Sequence, residues 1–229
     1  MIGVLGGTGL ADGFLREYRK TRIKTPYGTV TVLRGDDILL VQRHGADRKT
    51  PPHMINHKAN AYALKKAGIS TVVGVNSSGS LKRNIKPGYF VVPHDYINFY
   101  NVQTYYDRTI KHITPGLSED IRERIIKAAR KEKVKLVERG VYFQTRGPRL
   151  ETKAEIRMIK DYADIIGMTM GTEATLCKEL GLEYASLCTV DNYANGIADE
   201  RIDFEEIFKK SRKKSEKVKR VLYTIAGEL

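Results

Sequence analysis

Short apolar runs rich in β-branched residues alternate along this chain with segments of helical periodicity, and this alternation constrains its fold most strongly. Strands are predicted at Ile2–Leu5, Thr29–Leu33, Ile38–Gln42, Thr71–Val75, Tyr89–Pro93, Gly140–Gln144, Ile165–Met168 and Tyr184–Thr189. Helices are predicted at Ile55–Ala67, Ser118–Lys131, Lys153–Lys160, Thr172–Leu180 and Phe204–Ala226. The pattern is typical of an α/β protein with a central mixed or largely parallel sheet flanked by helices, in which ligands bind at the carboxyl ends of strands.

Length and composition favour one domain that covers residues 1–229, because 41% hydrophobic residues can build a sizeable core. The apolar runs stay below the roughly 18 residues of a membrane span, and no basic segment precedes an apolar one at the N-terminus. We therefore expect a cytoplasmic protein. Cys177 and Cys188 have neither metal-ligand spacing nor a disulfide pattern, so we expect two buried thiols.

The net charge of +13 raises the alternative of a basic nucleic-acid-binding protein. The stretch from Lys209 to Arg220 holds eight basic residues and one Glu, and so contributes +7 of this charge. It lies on a helical pattern whose apolar residues recur at three- and four-residue intervals, which favours a solvated helix face. No helix-turn-helix, zinc or aromatic RNA-binding signature accompanies it.

Three predicted strands are followed by residues suited to an anion. Gly6-Gly7-Thr8-Gly9 comes first, and its glycines let backbone N–H groups approach a phosphate while Thr8 offers a hydroxyl. Arg43-His44-Gly45 supplies a planar donor fork and an imidazole, and Asn76-Ser77-Ser78-Gly79 supplies small polar residues. A dinucleotide site is disfavoured because no clear helix follows the first glycine turn and no acidic residue ends a second strand at the expected point.

The segment 141–155 has an apolar run that breaks at Gly147-Pro148 and then begins a helix with two carboxylates. Glu151 is expected in the first helical turn, at the mouth of the sheet. The segment 95–116 is polar and rich in tyrosine, and a loop of that length in a compact domain is usually functional or interfacial.

These motifs resemble those of a known family. The segment 141–155 is similar to the GP-[aromatic or Leu]-ET-x-AE signature of trimeric purine nucleoside phosphorylases. Five further motifs resemble, in order and at similar spacing, the pattern shared by purine nucleoside phosphorylases and methylthioadenosine phosphorylases. They are Ile2–Leu10, Arg43–Gly45, Asn76–Leu81, Gly167–Thr169 and Asp191–Tyr193, so the resemblance covers nearly the whole chain.

The resemblance implies phosphorolysis, in which phosphate attacks the anomeric carbon of a purine nucleoside while the purine leaves. It assigns phosphate contacts to Thr8, Arg43, His44, Asn76, Ser77 and Thr169. It assigns the sugar and base walls to Ser78, Gly79, Met168, Tyr193 and Ala194, and the catalytic contacts with the base to Asn192 and Glu151. Read without the family, Met168 would be a core residue. Family members need no metal or organic cofactor and assemble as trimers, sometimes paired into hexamers, with a loop like 95–116 closing the neighbouring site.

The identity of the base follows from three of these positions. In methylthioadenosine phosphorylases the Asn192 position is Asp, a second Asp lies two residues on, and the Glu151 position is Ser. This chain has Asn192, Ala194 and Glu151, the combination of phosphorylases of 6-oxopurines. A 6-oxopurine presents a carbonyl acceptor and a ring N–H donor, which match an amide donor and a carboxylate acceptor. We therefore expect hypoxanthine or guanine as the base.

The 5′ substituent of the nucleoside is predicted from the C-terminal helix. In relatives that prefer a 5′-hydroxyl a His on this helix meets that group, whereas methylthio-specific relatives have an apolar pair. This chain places Phe204 and Phe208 there, and its last histidine is His112. We expect S-methyl-5′-thioinosine to be the better substrate, with inosine and guanosine accepted more weakly. The alternative for the two Phe is that they occupy ordinary core positions. The alternative functions are a general inosine and guanosine phosphorylase, a methylthioadenosine phosphorylase and a nicotinamide-dependent oxidoreductase.

Overall fold

A computed structural model describes residues 1–7, 10, 18–100, 102–198 and 204–227; between 204 and 213 it describes the backbone without the side chains. The strands are β1 (Ile2–Gly6), β2 (Arg19–Thr25), β3 (Gly28–Arg34), β4 (Ile38–Gln42), β5 (Thr71–Ser80), β6 (Phe90–Val91), β7 (Asp95–Asn98), β8 (Leu136–Val137), β9 (Val141–Gln144), β10 (Ile165–Gly167) and β11 (Glu183–Tyr193). The helices are α1 (His57–Lys66), α2 (Glu119–Lys131), α3 (Lys153–Ile159), α4 (Met170–Glu179) and α5 (Phe204–Gly227), with a 3-10 turn at Pro52–Met54.

All of these strands belong to one mixed sheet with the order β2-β3-β4-β1-β5-β10-β9-β7. The pairs β1–β4, β1–β5, β9–β10 and β7–β9 are parallel, and β2–β3, β3–β4 and β5–β10 are antiparallel. The strand β11 is a second, parallel neighbour of β5 and leads on to β6 and β8. The expected α/β class, with a central mixed sheet flanked by helices, is confirmed.

Helices cover both faces of the sheet because neighbouring residues of each buried strand point to opposite sides. Val4 packs into a cluster with Ile125 of α2 and Val221 of α5. Leu5, the next residue of β1, packs into a second cluster with Leu64 of α1 and other residues of α1 and α4. A third cluster forms under α3. Cys177 and Cys188 are free and buried, as expected.

The central strand β5 changes partners along one of its edges. Its first part pairs with β1 up to Val75, which lies opposite Gly6. Its last part pairs with β10, beginning at Gly79, while β11 accompanies it along the whole of the other edge. Residues 76–78 therefore lie where β1 and β10 diverge, and this fork, called the cleft below, leaves that edge of β5 without a strand partner among the described residues.

Three sequence expectations need correction. The Asn76–Ser80 segment was expected to follow a strand, but it continues β5 because β11 supplies pairing there. The strand β7 lies inside segment 95–116, which was expected to be a loop, and it is held by pairing with β9. The strand β2 was not predicted at all. Among the helices described, none combines the length and the apolar character of a bilayer-spanning segment.

Candidate functional site

Arg43 is the central cation of the site. It follows β4 and is 3% exposed. Its Nε donates to Glu173 Oε1 at 2.6 Å, and its Nη2 donates to Glu173 Oε2 at 3.0 Å and to the Leu5 carbonyl at 2.5 Å. Its Nη1 donates to the Val75 carbonyl at 2.7 Å, so the guanidinium ties together the ends of β1 and β4 and the middle of β5. Burial lowers the pKa of Arg43, but the charge and hydrogen bonds of Glu173 outweigh it, and the net direction is upward.

Glu173, in the first turn of α4, connects Arg43 to the other predicted phosphate residues. Its carboxylate also accepts from the Tyr184 hydroxyl at 2.9 Å and from Asn76 Nδ2 at 3.3 Å. Asn76 Nδ2 donates to Thr169 Oγ1 at 2.7 Å, and Asn76 Oδ1 accepts from the Ser186 hydroxyl at 2.7 Å. The structure thus brings Arg43, Asn76 and Thr169 into one buried hydrogen-bond network.

Sequence reasoning did not identify the acidic centre of this network. Glu173 is 2% exposed, and its position in an apolar helix turn, Met170 to Leu176, is the signal that could have revealed it. A buried carboxylate requires a cationic partner, and Arg43 at a strand end was the available one.

His44 lies beside this network and is half-buried. Its Nδ1 lies 2.8 Å from the Thr50 carbonyl, which can only accept, so Nδ1 carries the proton in the neutral ring. Burial and then the charge of Arg43 lower the pKa of His44. Neutral His44 therefore offers Nε2 as an acceptor, and donation to a phosphate from Nε2 requires the protonated ring.

A second histidine, His57 at the start of α1, is 2% exposed and was not predicted as part of the site. Neither ring nitrogen has a hydrogen-bond partner among the described residues. Burial, followed by the charges of Arg43 and His44, lowers its pKa to about 3. His57 is accordingly neutral near pH 7.

The glycine turn after β1 approaches Arg43 closely. A Cβ atom at Gly7 would lie 3.1 Å from Nη1 of Arg43, so glycine permits this approach. Thr8, the predicted phosphate hydroxyl, lies outside the described residues.

Glu151 lies near the segment that carries Asn192, since Asn195 Nδ2 donates to the Glu151 carbonyl at 3.3 Å, and it is 8% exposed. Its Oε1 accepts from the Thr145 hydroxyl at 2.6 Å. The expectation that Glu151 lies in the first helical turn was wrong: α3 begins at Lys153, as predicted, and Thr152 caps it, so Glu151 precedes the helix. Thr152 and Glu155 form a reciprocal capping box, which fixes the chain directly after Glu151.

Met168 lies against the loop that leads to Glu151. A Cβ atom at Gly147 would lie 2.5 Å from Met168 Sδ, and Gly147 has a φ of +67°, so glycine is required here on both grounds. Met168 is half-buried rather than a core residue.

Asn192 and Ala194 lie beside Gly79, so three predicted base contacts come together. A Cβ atom at Gly79 would lie 3.4 Å from Asn192 Nδ2 and 3.7 Å from Ala194 Cα. Asn192 Nδ2 donates to the Tyr193 carbonyl at 2.7 Å. This contact leaves one N–H and the amide oxygen of Asn192 for a ligand.

The remaining predicted residues take different places. The buried Ser78 hydroxyl donates to the Thr189 carbonyl at 2.9 Å, toward β11. The Tyr193 hydroxyl donates to the Arg83 carbonyl at 3.1 Å. Phe204 and Phe208 lie in α5, but their side chains are outside the described ones. Over the described residues, no group of three or more His, Cys, Asp and Glu side chains is arranged to hold a metal ion.

Ser77 contacts Asp191, which in turn contacts Lys214, and sequence analysis gave neither Asp191 nor Lys214 a role in the site. Its hydroxyl donates to Asp191 Oδ2, and Asp191 Oδ1 accepts from Lys214 Nζ at 2.7 Å. Lys214 was expected on a solvated helix face, yet it is 8% exposed. Its spacing of four and seven residues from the apolar Val218 and Val221 is the signal that places it on the buried face.

Comparison with known proteins gives a consistent set of relatives. A sequence model described as the phosphorylase superfamily matches residues 1–226. A protein of Archaeoglobus fulgidus named a probable 6-oxopurine nucleoside phosphorylase is 48% identical, with 93% of this chain and 90% of the relative covered. A protein of Methanocaldococcus jannaschii named a probable S-methyl-5′-thioinosine phosphorylase is 39% identical, with 97% and 90% covered.

A solved structure is similar over nearly the whole chain. It is the methylthioadenosine phosphorylase of Schistosoma mansoni in complex with adenine, which superposes with a TM-score of 0.89 at 25% identity. The alignment covers 99% of this chain and 91% of that protein.

Proposed function

Because the chain belongs to the phosphorylase superfamily, we propose that it catalyses the phosphorolysis of 6-oxopurine nucleosides to a free purine and a pentose 1-phosphate. The observation that carries this proposal is a buried carboxylate, Glu151, whose backbone carbonyl accepts from Asn195 Nδ2, three residues after the half-buried amide of Asn192 beside Gly79 and Ala194. A 6-oxopurine offers one ring N–H donor and one carbonyl acceptor, and these two side chains complement both. Two relatives with high identity carry names of this activity.

In the proposed reaction, phosphate lies at the inner end of the cleft, near Arg43, Asn76 and Thr169. Among the described residues, Glu173, Leu5 and Val75 take four of the five guanidinium N–H groups of Arg43, which leaves one on Nη1 beside Gly7. Arg43 thus aligns the strand ends and contributes one directed donor, while Thr8, His44, Ser77 and backbone N–H groups complete the proposed phosphate shell.

At the outer end, Asn192 and Glu151 hold the purine as the glycosidic bond breaks. The departing base gains electron density and the sugar gains positive charge, so phosphate below the sugar and hydrogen bonds to the base both stabilise the transition state. Met168 is the proposed contact with the sugar. The reaction as proposed needs no metal or organic cofactor, since phosphate is itself the second substrate.

The preferred 5′ substituent within this proposal is methylthio, so that S-methyl-5′-thioinosine yields hypoxanthine and 5-methylthioribose 1-phosphate. Phe204 and Phe208 support it by their type and place in α5, because an apolar pair would bury a methylthio group and leave a 5′-hydroxyl without a partner. The Methanocaldococcus jannaschii relative has the same proposed preference in its name. General inosine and guanosine phosphorolysis is the alternative, which the name of the Archaeoglobus fulgidus relative supports.

The test is release of free purine from inosine, S-methyl-5′-thioinosine and the two matching 6-amino nucleosides, with and without phosphate. We expect turnover to require phosphate and the 6-oxopurines to exceed the 6-aminopurines by at least about a hundredfold in kcat/KM. Equal rates without phosphate would replace phosphorolysis by hydrolysis. A higher kcat/KM for inosine than for S-methyl-5′-thioinosine would overturn the 5′ preference alone.

The proposal includes a homotrimer or a dimer of trimers in the cytoplasm. Segment 95–116 supports the assembly, because Phe99 is 76%, Val102 65% and Ile110 92% exposed. The same segment is anchored where Glu179 accepts from the Thr104 hydroxyl and the Tyr105 N–H, both at 2.6 Å. An anchored segment with an apolar tip fits an interface between copies. A mass measured by light scattering that corresponds to one chain would refute the assembly.

A further inference from the structure

A chain of three polar side chains runs from the C-terminal helix to the cleft. Lys214 Nζ donates to Asp191 Oδ1 at 2.7 Å and to the Val190 carbonyl. Asp191 Oδ2 in turn accepts from the Ser77 hydroxyl. Asp191 is 3% exposed and Lys214 8%, so the ion pair is shielded from water, whereas Ser77 is exposed at the fork of β5.

The backbone is irregular where this chain of contacts crosses it. On β11, Val190 lies opposite Ser78 and Asn192 lies opposite Gly79, so Asp191 is an extra residue without an opposite number on β5. Such a bulge redirects a side chain out of the regular alternation of a strand. It directs Asp191 to Ser77, and it sets the start of the segment that carries Asn192.

Stability alone is a weak reason for this arrangement. A buried ion pair is often no more stabilising than apolar residues of similar volume, because both charges lose their hydration. Its clear chemical effect is on Ser77. A carboxylate that bonds an ammonium and a hydroxyl is an acceptor for both, so the single hydroxyl proton of Ser77 is committed to Asp191.

The consequence appears in the cleft. With its proton committed, the Ser77 hydroxyl can only accept a hydrogen bond from a ligand. Its neighbours on β5 cannot take over this role, because Asn76 is fully buried and Ser78 is 4% exposed with its hydroxyl bonded to Thr189. Ser77 therefore selects for a ligand group that donates.

We propose that Lys214 is a positioning residue which, through Asp191, fixes the Ser77 hydroxyl as a hydrogen-bond acceptor for a hydroxyl group of the substrates. The donor is a P–OH group of the phosphate or a hydroxyl of the sugar, which share this chemistry. The inference rests on the proposed phosphorolysis and adds to it a dependence of the cleft on the C-terminal helix. It also assigns Ser77 a role other than donation to phosphate.

The test is a double-mutant cycle on phosphate-dependent purine release, with Lys214→Met, Ser77→Ala and both together. We expect each single variant to lose about tenfold in kcat/KM, as the loss of one directed hydrogen bond predicts. The double variant should lose no more than about twofold beyond Ser77→Ala, because Lys214 acts through Ser77. Lys217→Met, an exposed position on the same helix, is the matched control and should behave as the parent.

Asp191→Asn provides a second route to the same answer if Lys214→Met folds poorly. Its amide can donate to Ser77 and so releases the hydroxyl proton toward the cleft, and we expect a loss similar to that of Ser77→Ala. A rise in KM for phosphate in Ser77→Ala identifies a phosphate donor, and a rise in KM for the nucleoside identifies a sugar donor.

Two results would overturn the inference. Losses that multiply in the double variant would mean that Lys214 acts on the fold and not through Ser77. A Ser77→Ala enzyme with parental KM and kcat would remove the acceptor role. Both results can be obtained only if the parent enzyme is active. If the parent showed no phosphate-dependent turnover, the phosphorolysis proposal itself would fail, and that outcome is distinct from both results.

Discussion

The inner and outer halves of the cleft differ in how far their polar groups are already satisfied. In the inner half, Arg43, Glu173 and Asn76 are each at most 3% exposed and bond one another. In the outer half, Glu151 and Asn192 each have one side-chain hydrogen bond to the described residues, to Thr145 and to the Tyr193 carbonyl. The inner half is therefore assembled before a ligand arrives, whereas the outer half keeps hydrogen-bonding capacity for the ligand to use.

This difference separates two tasks. Placing an anion requires fixed strand ends, and a buried ion pair fixes them because neither partner can move without exposing an unpaired charge. Discriminating between bases requires donors and acceptors that are left unpaired by the wrong base. Substitutions in the inner half should therefore reduce stability, and substitutions in the outer half should change specificity.

Glu173→Ala should give the largest effect, because it leaves the Arg43 guanidinium buried without its partner. We expect the free energy of unfolding to fall by about 3–5 kcal/mol in urea denaturation. Glu138→Ala breaks the exposed ion pair with Arg130 and should leave the urea midpoint unchanged. Equal shifts in the two variants would contradict the distinction between the inner network and the surface.

Asn192→Asp should change specificity and leave stability nearly intact. A carboxylate in place of the amide opposes the carbonyl of a 6-oxopurine and suits a 6-amino group, so the ratio of kcat/KM values should shift by about a hundredfold toward 6-amino nucleosides. The ratio is measured with matched inosine and adenosine pairs. An unchanged ratio together with normal kcat would show that Asn192 does not meet the 6-position of the base.

His57→Phe should flatten the dependence of stability on pH. The folded-state pKa of His57 is about 3, below its ordinary 6.5, so the unfolded chain takes up the proton first as the pH falls. Stability is therefore complete above pH 6.5 and is lost toward pH 3, with about 2 kcal/mol lost between pH 7 and pH 5.

The measurement is urea denaturation at both pH values. The fall should be smaller in His57→Phe by that amount, while the lowered pKa of His44 acts in the same direction in both proteins. His112→Phe, at an exposed position, is the control. An identical fall in the parent and in His57→Phe would show that His57 does not carry this proton.

Thr152→Ala should give the smallest effect, because it removes the cap of α3 next to Glu151 and not Glu151 itself. We expect a loss of about 1 kcal/mol, seen as a decrease of about 2–4 °C in Tm. The base preference should decrease less than in Asn192→Asp. Thr152→Ser, which keeps the capping hydroxyl, is the control. A Tm equal to that of the control would show that the capping box does not stabilise the start of this helix.

The sequence predicted the central strands well because their apolar runs are long and flanked by clear turn residues. It did not predict β2, since Arg19, Lys20, Arg22 and Lys24 give that strand the charged pattern of an exposed sheet edge. The strand β7 was also missed, because it has only four residues and its partner β9 lies more than 40 residues away in the sequence. Tertiary pairing of this kind leaves little local signal.

The site was predictable where a residue acts at a strand end and unpredictable where it acts through a distant partner. Arg43, Asn76 and Thr169 were expected together and are joined in one network. Glu173 and Lys214 were missed because each is a single charged residue on a helix. Their roles depend on ion-pair partners that lie 130 residues away for Glu173 and 23 residues away for Lys214. A charged residue at a position of the helix that otherwise carries apolar residues is the local sign of such a partner.

The divergence of β1 and β10 leaves a gap in the sheet that bound substrates can fill. Between Val75 and Gly79, one edge of the central strand has no neighbouring strand among the described residues. Backbone N–H and C=O groups on such an edge need hydrogen-bond partners. A small molecule that bonds to them occupies the place of a missing strand segment. Catalysis in this cleft would then complete the sheet for one turnover and leave it open again when the products depart.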